Sequence, residues 1–268
     1  MTNTQTPSSA IRFDNGAAYA RYMGAWSQLV GEAFLHWLAP PAGWRWLDVG
    51  CGNGAFTETL VERCAPSAVC GIDPSEAQLA YARGQPTLRL VQFQQGDAMQ
   101  LPYTDNAFDA AVMPLVIFFV PVPARGVAEL ARVVRPGGSV SAYAWDMLGG
   151  GFPYHALQSE MRALGADVPM PPSPDASHID ALRSLWADAG LRDVETRQID
   201  VQRSFVDFND YWSTIVGGPS VSARLAAMTP DQLKMLQTRM RARLPADAAG
   251  RITCRATANA VKGRVSWS

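Results

Sequence analysis

Excess charge is the first thing this 268-residue sequence lacks: 23 Lys and Arg stand against 24 Asp and Glu, a formal net charge of −1. No surplus of cations is available to neutralise a phosphate backbone, which argues against a nucleic-acid partner. Cysteine is scarce as well. Cys51, Cys64, Cys70 and Cys254 include no CxxC pair and no metal-ligand spacing. Neither a metal site nor a disulfide framework is therefore expected, and four reduced thiols fit the cytoplasm. The opening MTNTQTPSSA has neither a cationic leader nor an apolar stretch, so no secretory signal is expected there. The longest apolar run, AAVMPLVIFFVPVP, is too short for a membrane span and carries three prolines.

What is present suits a packed globular chain, 48% hydrophobic and 18% charged. Residues 1–10 read as a polar tail. Tyr22, Trp26, Leu29, Val30, Ala33 and Trp37 recur at three- and four-residue steps, which predicts a helix over about 19–38 that Pro40 and Pro41 stop. Short apolar strands then alternate with helices of about ten residues. Strands are predicted at 44–50, 68–73, 88–97, 108–114 and 139–145, with helices at 55–63, 75–83 and 124–134 between them. That alternation implies a doubly wound α/β fold with a parallel sheet covered on both faces. After Asp146 the pattern breaks into a glycine- and proline-rich stretch, 147–177, which suits an insertion over the sheet edge. A helix over 178–189 and a strand over 194–205 follow. Residues 207–244 read as helical, broken at Gly217, Pro219 and Pro230, and an alternating strand closes the chain at 251–265. One domain spanning 1–268 is expected: a helical lid at about 10–40, a ligand-binding core at 45–146, and cap insertions at 147–177 and 207–245.

The segment WLDVGCGNGAF, residues 46–56, places Asp48 just before Gly50, Gly52 and Gly54. Glycine weakens a strand, so three of them at a strand end mark a tight turn or the close approach of a ligand to the backbone. In a doubly wound sheet, ligands bind beyond the C-terminal ends of the strands, beside the first one. Asp73 closes the second predicted strand and Asp97 the third, so three acids line one edge of the sheet. Each taken singly reads equally well as a cap or a solvated turn. Two ligand classes fit the set. GCGNGA satisfies G-x-G-x-x-A with Asp73 about twenty residues on, as a dinucleotide site requires. A ligand with an amino-acid end, a ribose and an adenine fits better, because it brings an ammonium rather than a pyrophosphate to the acid beside the turn.

LDVGCGNG, GIDPS, GDAMQLP, FDAAVM and RVVRPGG together resemble the successive motifs of class I S-adenosylmethionine-dependent methyltransferases, in particular the ubiquinone/menaquinone-biosynthesis-like small-molecule group. The resemblance covers about residues 15–146 and the closing ANAVKGRV strand. It implies a Rossmann-like sheet of seven strands, mostly parallel with the last antiparallel, and S-adenosylmethionine as cofactor. The turn carrying Asp48, Gly50, Cys51 and Gly52 would face the methionine part. Asp73 would take the ribose hydroxyls, with Pro74 and Gln78 flanking ribose and adenine. Asp97 would accept from the adenine amino group and the Ala98 N–H would meet a ring nitrogen. The Met113 main chain would lie near the amino-acid end. Tyr22 and Trp26, read from their place on the first helix, have two readings: closing over the cofactor, or simple core at helical spacing.

Methyl transfer from a sulfonium is an in-line displacement, so holding the acceptor in line supplies much of the catalysis. MPLVIFFVP stands after the fourth strand where an NPPY-type signature would mark amines of DNA bases, and it predicts an apolar pocket wall instead. Among three histidines, His155 just past the fifth strand is the candidate base; His36 and His178 read as helix residues. The expected protein is a cytoplasmic methyltransferase, monomer or homodimer, acting on a small, partly apolar molecule. Two other readings stand beside it: a non-catalytic regulator or subunit that binds the same cofactor, and an NAD-dependent oxidoreductase.

Overall fold

A computed structural model describes residues 20–216, 218 and 221–267. The predicted polar tail at 1–10 and the predicted breaks at Gly217 and Pro219 lie outside the described residues. Seven strands form one sheet in the order β3-β2-β1-β4-β5-β7-β6. They are β1 (Arg45–Val49), β2 (Ala68–Asp73), β3 (Gln92–Gln95), β4 (Phe108–Pro114), β5 (Val134–Trp145), β6 (Arg192–Phe205) and β7 (Ile252–Arg264). All pairings are parallel except those of β7, which runs against both β5 and β6. The central strands β1 and β4 are buried on both faces, as a parallel sheet flanked by helices requires.

Nine helices complete the described chain: α1 (Ala25–Leu38), α2 (Ala55–Cys64), α3 (Glu76–Arg83), α4 (Pro123–Val133), α5 (His155–Ala163), α6 (Ile179–Asp188), α7 (Phe208–Val216), α8 (Ser222–Ala227) and α9 (Pro230–Arg243). On α1 the four-residue spacing of Trp26, Val30 and Phe34 makes one fully buried stripe. Phe34 meets Tyr143 of β5 at 4.7 Å between ring centroids and Phe56 of α2 at 6.2 Å. One face of the helix expected as a lid therefore packs into the core. Opposite, α6 docks through Trp186, whose indole N–H donates to the Val140 carbonyl at 2.9 Å.

Two strand boundaries differ from the sequence expectation. Residues 86–88 form a 3-10 turn, which takes up the start of the predicted 88–97 strand and leaves β3 only four residues. The RPGG stretch, expected as a plain helix stop, is already strand at Val134, and the Gly137 N–H donates to the Val265 carbonyl. The β6–β7 hairpin is longer than the sheet it joins. β5 pairs with β7 only over Ala258–Arg264, so residues 200–205 and 252–257 run on past the sheet's C-terminal edge. That overhang roofs one side of the site.

Candidate functional site

The glycine turn leaves β1 with three positive φ values, +74° at Gly50, +53° at Gly52 and +86° at Gly54. The three are needed for different reasons. A Cβ on Gly50 would lie 2.3 Å from Val116, and one on Gly54 would lie 2.4 Å from Leu88. A Cβ on Gly52 would meet nothing within 4 Å. The first and third glycines admit neighbouring side chains, whereas the second opens onto a cavity.

That cavity, about 170 Å³, is lined by Gly50, Cys51, Gly52 and Asn53 of the turn, and by Asp73, Pro74, Ser75 and Gln78 beyond β2. Its far wall is Pro114, Leu115, Val116 and Phe119, the apolar segment after β4, with Tyr143 from β5. Leu115 holds a left-handed φ of +59°, fixed by its N–H donating to the Tyr143 carbonyl at 2.7 Å. This bend turns the chain so that Val116 packs on Gly50.

Asp73 is half-buried at the mouth of the turn. One carboxylate oxygen accepts from the Gly52 N–H at 2.9 Å and the other from the Ser75 N–H at 2.8 Å. It therefore caps the turn structurally, yet each oxygen keeps a second lone pair for a ligand hydroxyl. Burial raises its carboxyl above the ordinary carboxylate range, against the two backbone bonds that lower it. Asp48 lies beneath the turn rather than on the cavity wall. It is fully buried, and its Oδ2 accepts from the Thr57 hydroxyl at 2.6 Å while Oδ1 meets no partner. Desolvation pushes its carboxyl up to about 7, with the nearby Asp73 charge adding to the rise. Cys51 is buried in the same turn and its thiol is raised by desolvation and by both carboxylates, so it is a wall atom and not a nucleophile.

The remaining candidate residues stand elsewhere. Asp97 is exposed past β3, where its side chain accepts from the Met99 N–H, and neither it nor Ala98 lines the cavity. Met113 is fully buried inside β4, and the residues after it, Pro114 to Val116, form the wall. Tyr22 and Trp26 belong to an aromatic knot. The Tyr154 hydroxyl accepts from the Trp26 indole N–H at 3.1 Å and donates to the Tyr22 carbonyl at 2.7 Å, and the Tyr22 and Tyr154 rings stack at 4.4 Å. His155 opens α5 next to this knot, hydrogen-bonded to Ser159 and packed on Gly150, and it does not line the cavity. No local signal separates a helix-start histidine that faces a cleft from one that faces its own helix.

A larger cavity, about 630 Å³, adjoins the first and shares Asn53 and Ala55 with it. Its walls are the start of α1 (Ala25 and Gln28), the start of α2, the C-terminal end of α3, Arg203 at the overhanging end of β6, and Asp210, Ser213 and Thr214 of α7. Sequence reasoning missed Arg203, because its position depends on how far the hairpin outruns the sheet.

Comparison with known proteins places this architecture. Residues 47–142 match the family model described as a methyltransferase domain. The demethylmenaquinone methyltransferase of Lactobacillus johnsonii is 38% identical over 114 residues, which is 41% of this chain and 47% of that protein. The ubiquinone/menaquinone biosynthesis C-methyltransferase UbiE of Roseobacter denitrificans is 33% identical over 121 residues, 44% of this chain and 48% of that protein. The chain thus spans about half the length of these curated relatives. The YcgJ protein of Bacillus subtilis shares the fold with a TM-score of 0.61 at 17% identity, covering 89% of this chain and 99% of that one.

Proposed function

We propose, for a chain whose residues 47–142 match the family model of a methyltransferase domain, that the protein transfers a methyl group from S-adenosylmethionine to a small, partly apolar molecule. The observation that carries the reading is Asp73: a half-buried carboxylate at the end of β2, oriented by two backbone N–H groups, with a spare lone pair on each oxygen beside a glycine whose missing Cβ leaves open space. That arrangement suits a ribose diol. Asp48, buried with one unpartnered oxygen, suits a cationic ligand end above the turn.

The cofactor supplies a sulfonium-bound methyl with a good leaving group. On this reading Gly50, Cys51 and Gly52 face its amino-acid end, Asp73 takes the ribose hydroxyls, and Pro74 and Gln78 flank ribose and adenine. Asp97 and the Ala98 N–H take the adenine edge, and the chain leaving Met113 bounds the amino-acid end. Among the described residues no histidine lines either cavity, so catalysis is assigned to positioning and exclusion of water rather than to His155. The apolar wall from Pro114 to Phe119 orients the acceptor, and the segments 147–177 and 207–245 cap the core at 45–146.

No described helix is long and apolar enough to cross a membrane. The four cysteines are free and buried, which supports a reducing, cytoplasmic setting; the protein is read as a monomer or homodimer with no nucleic-acid partner. The test is label transfer. Purified protein incubated with methyl-labelled S-adenosylmethionine and a small-metabolite extract should pass label to an extract component. Cofactor binding with no transfer to any fraction would favour a regulator of the same fold.

A further inference from the structure

Arg203 stands out among the charged side chains of the site. Its Nη1 is buried without a hydrogen-bond partner, and Arg203 makes no ion pair among the described residues. The guanidinium is held by lying 4.6 Å from the centroid of the Phe205 ring. Arg203 as a whole is half-buried, so only part of the guanidinium loses its hydration, and neither a hydrogen bond nor a counter-charge replaces it there. Two acids share the cavity wall, and neither forms an ion pair with Arg203; each accepts a hydrogen bond from a neutral group. Asp210 on the same cavity wall accepts from the Val206 N–H, and Glu58 accepts from the Thr87 hydroxyl. The large cavity is therefore where a counter-anion can come from.

We propose that Arg203 is the anion receptor of the acceptor site, so that the acceptor is an organic acid carrying a carboxylate or phosphate on a partly apolar body. This deepens the methyltransferase reading and rests on it. The planar fork of a guanidinium matches a carboxylate or phosphate with two parallel hydrogen bonds. Arg203 lines the larger cavity and not the one around Gly52 and Asp73, so its anion belongs to the second molecule rather than to the cofactor. The two cavities meet at Asn53 and Ala55, which lets a molecule anchored at Arg203 extend toward the glycine turn. Gln28, Ser213 and Thr214 offer neutral hydrogen-bonding groups around it.

The test titrates the full chain, free and saturated with S-adenosylhomocysteine, with benzoate and with its neutral isostere benzamide, for the wild type, R203M and R203K. Benzoate should bind the wild type roughly tenfold or more better than benzamide, the range a charge-assisted hydrogen bond spans. R203M should lose that preference and R203K keep part of it. R203M should also melt close to the wild type, because Arg203 has no hydrogen bond at Nη1 and, among the described residues, no ion pair to lose, only its contact with the Phe205 ring; R203K carries the test if R203M does not fold. Equal binding of benzoate and benzamide by the wild type overturns the proposal, as does a preference that R203M retains. A third arm separates the source of the anion. If R203M weakens S-adenosylhomocysteine but not 5′-methylthioadenosine, which lacks the amino-acid end, Arg203 serves the cofactor and the acceptor assignment falls. Failure of S-adenosylhomocysteine to bind the wild type at all sinks the cofactor reading instead, and the benzoate titration of the free protein still reports on Arg203.

Discussion

Asp48 and Thr57 share a 2.6 Å hydrogen bond beneath the glycine turn, and that bond satisfies only one of the two carboxylate oxygens. Desolvation holds the Asp48 carboxyl at about 7 in the folded chain against an ordinary value of 3.8. Between those two values the native state holds a proton that the unfolded state has released. The contribution of Asp48 to stability is therefore most favourable below about pH 4, is lost as pH rises, and carries its full penalty above about 7. Asp48→Asn keeps an acceptor for Thr57 and removes the titration. It should raise the melting temperature of the ligand-free protein at pH 8 and leave it nearly unchanged at pH 4, as scanning calorimetry across that range would show. A variant that is destabilised equally at both ends would mean that the carboxylate is paired.

Asp73 has two duties, and a substitution should separate them. Asp73→Asn retains one acceptor oxygen and loses the other, so one of the Gly52 and Ser75 N–H bonds goes with it. The expected loss of folding stability is about 1–3 kcal/mol, that of one poorly satisfied buried group. Affinity for S-adenosylhomocysteine should fall roughly tenfold or more. Denaturant titration and calorimetry on one preparation check both, and unchanged affinity would reduce Asp73 to a cap.

The three glycines of the turn should respond differently to alanine. Gly50→Ala drives a methyl to within 2.3 Å of Val116 and should destabilise the fold strongly. Gly52→Ala meets no protein atom, so its stability cost is the left-handed strain of about 1–2 kcal/mol. Its methyl projects into the cavity, so cofactor affinity should drop far more than stability does. Melting curves with and without S-adenosylhomocysteine distinguish the two variants.

The aromatic knot ties the start of α1 to the segment before α5. Tyr154→Phe leaves the Trp26 indole N–H and the Tyr22 carbonyl without their common partner. The expected cost is about 2 kcal/mol or more in denaturant unfolding. Little change would mean that water replaces the hydroxyl.

These contrasts mark where the sequence was informative. The glycine turn, Asp73 and the strand–helix alternation are local patterns, and they appear in the structure at the expected residues. The seven-stranded sheet with its antiparallel β7 is the one the family resemblance implies. What was not legible depends on contacts distant in sequence. Tyr22 and Trp26 carry helical spacing whether they face a ligand or the core, and only Tyr154, more than a hundred residues later, decides for the core. Leu115 gives no glycine or asparagine signal for its left-handed backbone, because the Tyr143 carbonyl imposes it. Arg203 reads as an ordinary strand residue until the β6–β7 hairpin is seen to outrun the sheet. His155 stands out in the sequence only because histidine is scarce, and scarcity carries no information on which way its ring faces.

The most direct test of the central claim is calorimetric titration of the purified full chain with S-adenosylmethionine, S-adenosylhomocysteine and NAD under one buffer condition. The account predicts micromolar binding of the first two and NAD weaker by at least an order of magnitude (roughly 1.4 kcal/mol per tenfold). NAD binding as tight as S-adenosylhomocysteine or tighter would contradict it, leaving the doubly wound sheet intact and the methyl-transfer reading without support.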